Sequence, residues 1–102
     1  MRHAERSTKL AAAVAQFVAH KRTFGRGYQH QEYILVALAR FVARTGADDL
    51  SASLFDRWSA EQRHLCPNTL YGRQFLVRNL CIFRRRREPG CFVPDPAGFA
   101  RP

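Results

Sequence analysis

An all-α fold of four helices is predicted by three observations. Apolar residues recur at i, i+4, i+7 and i+8 in two long stretches and at related helical spacings in two more. Glycine, proline and capping residues punctuate the chain between these stretches, and no segment shows the period-two alternation of a half-buried strand. With 102 residues, 46% of them hydrophobic, the chain is long enough for one core and too short for two, which excludes most multidomain enzymes.

Leu10, Val14, Phe17 and Val18 share one face of the first helix, with Ser7 as its expected N-cap. Alanines 11 to 13, 15 and 19 add helix propensity, and Thr23, Gly25 and Gly27 end the run. Ile34, Leu38, Phe41 and Val42 repeat the spacing in a second helix, from Tyr28 or Gln29 to Thr45. Gly46 stops it, as the residue type suited to a left-handed position beyond a helix C-terminus. Ser51 is expected to cap a third helix carrying Leu54, Phe55, Trp58 and Leu65, with Asp48 and Asp49 near the positive end of its dipole. Pro67 and Asn68 end that helix and begin the fourth, expected from about Asn68 to Arg86. Leu76, Leu80 and Phe83 form its main apolar face and Tyr71, Phe75 and Ile82 a second, leaving Gln74, Arg78 and Arg85 as a narrow polar strip. Residues 1–6 read as a tail, 7–87 as the domain, and 88–102, with four of the five prolines, as an extended C-terminal linker leaving it.

Charge is unevenly placed along these elements. Arg and Lys total 17 against 8 acids, a net charge of +9 that favours a polyanionic partner. Residues 1–28 hold six cations against one acid and residues 66–88 six against one, whereas residues 48–65 hold two against four. The first and fourth helices are therefore the basic elements, and the third is expected to face away from a polyanion. Lys21, Arg22 and Arg26 flank a glycine turn beside Tyr28, Gln29 and His30, which gathers cations, an aromatic ring and hydrogen-bonding groups at one corner. Asn68, Thr69 and Arg73 form a second candidate at the start of the fourth helix, where the dipole attracts phosphate. A solvated turn and ordinary capping are the simpler accounts of the two clusters. Arg84 to Arg87 lie at a helix C-terminus, where cations stabilise the helix whatever else they do.

Catalytic and cofactor signatures are not found. Cys66, Cys81 and Cys91 match no metal-ligand spacing and read as free thiols, and His3, His20, His30 and His64 form no i, i+4 pair, so neither a metal site nor a cofactor is expected. Gly25 and Gly27 follow no strand and precede no Gly-Lys-Ser/Thr, so they do not form a phosphate-cradling loop. The longest apolar run, Tyr33 to Ala39, is far shorter than a membrane span.

Four stretches in order, FVAHKRTFGRGY (17–28), YILVALARFVARTG (33–46), LSASLFDRW (50–58) and NTLYGRQFLVRNLCIF (68–83) followed by EPGCFVPDP, give the chain a family likeness. It resembles the N-terminal core-binding (SAM-like) domain of phage-type integrases, the tyrosine recombinases, from about Leu10 to Pro96. The resemblance implies one half of a clamp on duplex DNA, with the second and fourth helices against the major groove, acting in site-specific recombination and DNA integration. It places Lys21, Arg22, Arg26, Tyr28 and His30 at the corner, and Asn68, Thr69 and Arg73 on the fourth helix, toward DNA. Arg78 matches the arginine of the family's fourth-helix pattern, where a structural role is equally open. It further implies a separate C-terminal catalytic domain, other recombinase protomers as partners, a cytoplasmic, nucleoid-associated location, and no catalytic residue within these helices. Gly72 inside the fourth helix departs from the pattern and marks either a close backbone approach or a bend. Two other readings stand beside this one: a helical module docking on an acidic protein, and a small DNA-binding regulator.

Overall fold

The computed structural model describes residues 8–25 and 27–101, leaving Ser7, Arg26, Pro102 and the 1–6 tail outside the described residues. The fold is all-α: α1 (Lys9–Arg22), α2 (Gln29–Arg44), α3 (Ala52–Glu61) and α4 (Pro67–Arg85), with a 3-10 turn at Pro96–Gly98. Helix α2 lies at the centre and packs against the other three. Its Ile34, Leu35, Leu38, Ala39, Phe41 and Val42 are buried, and the predicted face of α1 (Leu10, Val14, Phe17, Val18) closes on them.

The caps explain the boundaries. The described N-cap of α1 is Thr8, not the expected Ser7: its Oγ1 accepts from the Ala11 amide at 3.0 Å. Asp48 from the loop after α2 supplies two more acceptors, its carboxylate to the Lys9 amide and its carbonyl to the Leu10 amide, each at 3.2 Å. Asp48 thus serves α1, satisfying amides that a helix start leaves unpaired. Gly46 has φ +87° just beyond α2, the left-handed conformation its sequence position anticipates. Ser51 caps α3 by accepting from the Leu54 amide at 3.3 Å. Helix α3 ends at Glu61, four residues short of Leu65, which lies half-buried in the following turn; Gln62, Arg63 and His64 offer no apolar side chain that would reward another helical turn. Asn68 does not cap α4. Cys66 takes that position, Pro67 occupies the first turn where its missing N–H costs nothing, and Asn68 and Thr69 fall inside the helix.

Two corrections concern α4 and the C-terminal segment. The buried strip of α4 runs through Leu70, Gln74, Val77, Leu80, Cys81 and Arg84, so Gln74, expected on a polar strip, faces the interior at 3% exposure. It is accommodated because its amide is paired at both ends: Nε2 donates to Ser59 Oγ at 3.1 Å and Oε1 accepts from the Ala100 amide at 2.8 Å. Arg84 is likewise buried, its guanidinium donating to both Asp49 carboxylate oxygens at 2.8 Å and to Glu88 at 3.0 Å. Burial raises the Asp49 pKa, but the hydrogen bonds from Arg84 and the Leu50 amide, with the charges of Arg84 and Lys9, together outweigh it and hold that carboxyl below the usual range. Asp49, like Asp48, is therefore engaged away from α3.

The C-terminal segment, expected to leave the domain, lies back along it. Phe99 is 6% exposed and sits among Phe55, Phe75 and Tyr71 with ring centroids 5.7, 5.2 and 6.5 Å away. Arg78 donates to the Pro94 carbonyl at 2.7 Å, which gives this arginine a structural role. Prolines keep the segment extended, while Phe92, Val93 and Phe99 give it apolar surface to bury. The cysteines are free thiols: Cys66 exposed, Cys91 half-buried and Cys81 buried, its pKa pushed up by burial to about 12.

Candidate nucleic-acid interface

The corner after α1 is built from a basic last turn, His20, Lys21 and Arg22, where the Lys21 and Arg22 charges suit the negative end of the helix dipole. The Thr23 hydroxyl closes the turn by donating to the His20 carbonyl at 2.6 Å, and Gly27 at φ +89° redirects the chain into α2. Lys21 Nζ rides 5.5 Å from the centre of the buried Phe17 ring, so its stem is guided by the core while the ammonium stays outside. Tyr28 packs edge-on against the same ring with centroids 6.1 Å apart. Burial raises its pKa, so the phenol remains a neutral hydrogen-bonding group at physiological pH.

The start of α4 faces this corner. Cys66 Sγ lies 3.2 Å from Thr69 Oγ1, a contact that, with the Thr69 and Asn68 amides, lowers the exposed thiol's pKa. One turn later Arg73 is half-buried; its Nη1 donates to Gln62 Oε1 at 3.0 Å, while its Nε is buried with no partner.

Between the two lies an open groove of about 490 Å³. Lys21, Tyr28 and His30 line it from one side and Asn68, Thr69 and Arg73 from the other, so six of the eight residues singled out from the sequence meet at one place. No Asp or Glu is among the described residues that line it. Gly72 lies in the groove wall, and a Cβ built there would meet nothing within 4 Å. The glycine is therefore not required by packing inside this chain.

Arg22 pairs with Glu32 of α2 at the surface, and Arg26 is outside the described residues. Sequence reasoning passed over Gln31 and Asn79, which also line the groove, and Phe24, which is 76% exposed at the same corner. Gln31 lies on α2 one residue after His30 and is half-buried, with its Oε1 sealed from solvent and unpartnered. Side-chain polarity was the one available signal for these amides, and it does not distinguish a groove from open surface.

A second groove, of about 460 Å³, runs between α1 and α2 and is mostly apolar, with Ala11, Val14, Val36 and Ala39 along it. Among the described residues, no cluster of three or more His, Cys, Asp or Glu could hold a metal ion, and no helix is long and apolar enough to cross a membrane. No protein-family model, curated protein or solved structure was found to match the chain.

Proposed function

We propose that the chain binds duplex DNA as the non-catalytic, core-binding part of a tyrosine recombinase. In this reading it serves site-specific recombination and DNA integration, with strand cleavage supplied by a separate catalytic domain and with other protomers completing the assembly. The observation that carries the reading is the groove, with no Asp or Glu among its described lining residues, in which Lys21 and Arg73 meet His30 and the hydrogen-bonding groups of Tyr28, Asn68 and Thr69. Cations and hydrogen-bonding groups lining one concavity match the ridge of a sugar-phosphate backbone, whose outward oxygens only accept. The family resemblance of the sequence supplies the recombination context.

Titrating duplex DNA at rising salt tests the reading. Each phosphate contact should cost about 3-fold in affinity between ~50 and ~200 mM salt, and Lys21→Ala or Arg73→Ala should each weaken binding and flatten the salt slope by about one. Affinity independent of salt would refute it. No covalent adduct with DNA should form, since no tyrosine here is assigned as a nucleophile. The apolar groove between α1 and α2 favours one other reading, a module that docks a partner protein. Retention of an acidic protein that duplex DNA does not displace would support that alternative.

A further inference from the structure

Two polar atoms of groove-lining residues have no hydrogen-bond partner among the described residues: Gln31 Oε1, an acceptor, and Arg73 Nε, a donor. Buried groups of this kind are nearly always paired in native proteins, so a pair of opposite polarity at one groove calls for a common partner. Phosphate answers only half of the requirement, because it can accept from Arg73 and has nothing to donate to Gln31. The base edges of intact duplex DNA carry donors, but they lie on the floor of a groove, and a concavity on the protein cannot reach them. A group that projects from the DNA and offers a donor beside an acceptor meets both conditions, and an unpaired nucleobase is such a group. The same groove supplies apolar wall from Tyr28, Ile34, Phe75 and Leu76, against which a flat base can lie. Its volume of about 490 Å³ exceeds that of one base. The last torsion of Gln31 is broad and soft, so its amide can swing into the groove when a partner arrives.

We infer that the groove between α2 and α4 receives an extrahelical nucleobase, held through Gln31 and Arg73. This rests on the DNA-binding reading and adds to it a preference for DNA with an unpaired nucleotide. The test compares three duplexes of one sequence: fully paired, with a single unpaired adenine, and with an abasic residue at that bulge. The native chain should bind the adenine bulge about tenfold more tightly than the other two, the equivalent of one well-made hydrogen bond. Gln31→Met, which keeps the volume and removes the polar atoms, should erase that increment, so that the variant binds the adenine-bulged and paired duplexes alike. The same variant should unfold at a temperature no lower than the native chain, since it removes an unpartnered acceptor. Equal affinity for bulged and paired duplexes overturns this inference alone. An abasic bulge bound as tightly as the adenine bulge also overturns it, by tracing the preference to DNA flexibility. Failure to bind any of the three overturns the DNA-binding reading with it.

Discussion

Gly72→Ala is expected to move stability and binding in opposite directions. Gly72 has a helical neighbour on either side in α4, its φ is not in the positive range, and an added Cβ meets nothing within 4 Å. The substitution is free of steric penalty, so it should return the ordinary helix-propensity difference of about 1 kcal/mol in favour of alanine. For a domain of about this size that corresponds to a rise in Tm of roughly 4 to 8 °C, measurable by thermal circular dichroism. The same methyl group projects into the space where a phosphate ridge would rest. Displacing one charge-assisted contact is worth about 1.5 to 3 kcal/mol, or roughly ten- to hundredfold in affinity for duplex DNA at low salt. A variant that is more stable and binds unchanged would refute the use of this groove. A variant that is less stable would refute the assignment of Gly72 as an unstrained helical position facing open space.

Phe99→Ala should cost about 3 to 5 kcal/mol in denaturant unfolding, because the ring is 6% exposed inside an aromatic cluster; a loss below about 1 kcal/mol would mean that the C-terminal segment contributes little to the fold. Asp49→Ala leaves the buried Arg84 with Glu88 alone and should cost about 3 kcal/mol by the same measurement. Because the folded pKa of Asp49 is depressed, its contribution is present above the unfolded value of about 4 and is lost as pH falls through the folded value. The Tm difference between the native chain and Asp49→Asn should therefore shrink in acid, and a gap constant down to about pH 2 would contradict the ion-pair account. Asn68→Ala should change stability by less than about 0.5 kcal/mol while weakening DNA binding, since Cys66 holds the cap position; a loss of about 1 kcal/mol would restore the capping role to Asn68.

The helices were legible because their signals are local. The periodic faces of α1 and α2, the stop at Gly46 and the cap at Ser51 depend on residues within a turn or two of one another. Features set by distant partners were not legible. Thr8 caps α1 where Asp48, 39 residues beyond Lys9, meets the helix start. Gln74 and Arg84 are buried because Ser59, Ala100 and Asp49 answer them; hydrophobic periodicity places Gln74 on the polar strip, and Arg84 reads from sequence only as one of four cations at a helix C-terminus. The proline content of the C-terminal segment masked the three apolar residues that fold it back. At the groove, charge and capping chemistry marked both walls, but the orphaned atoms of Gln31 and Arg73 emerge only from packing.

The burial of Gln74 and Arg84 has a consequence for the uniqueness of the fold. Helix α4 carries apolar residues around most of its circumference, including the half-buried Tyr71, Phe75, Leu76, Ile82 and Phe83. Hydrophobic burial by itself would tolerate several rotations of such a helix about its axis. A turn of one residue, about 100°, would carry the Gln74 amide away from Ser59 and Ala100 and the Arg84 guanidinium away from Asp49, leaving polar groups enclosed without partners. The two polar residues thus act as a key for one angular setting, widening the energy gap to misrotated alternatives that an all-apolar strip would leave close by.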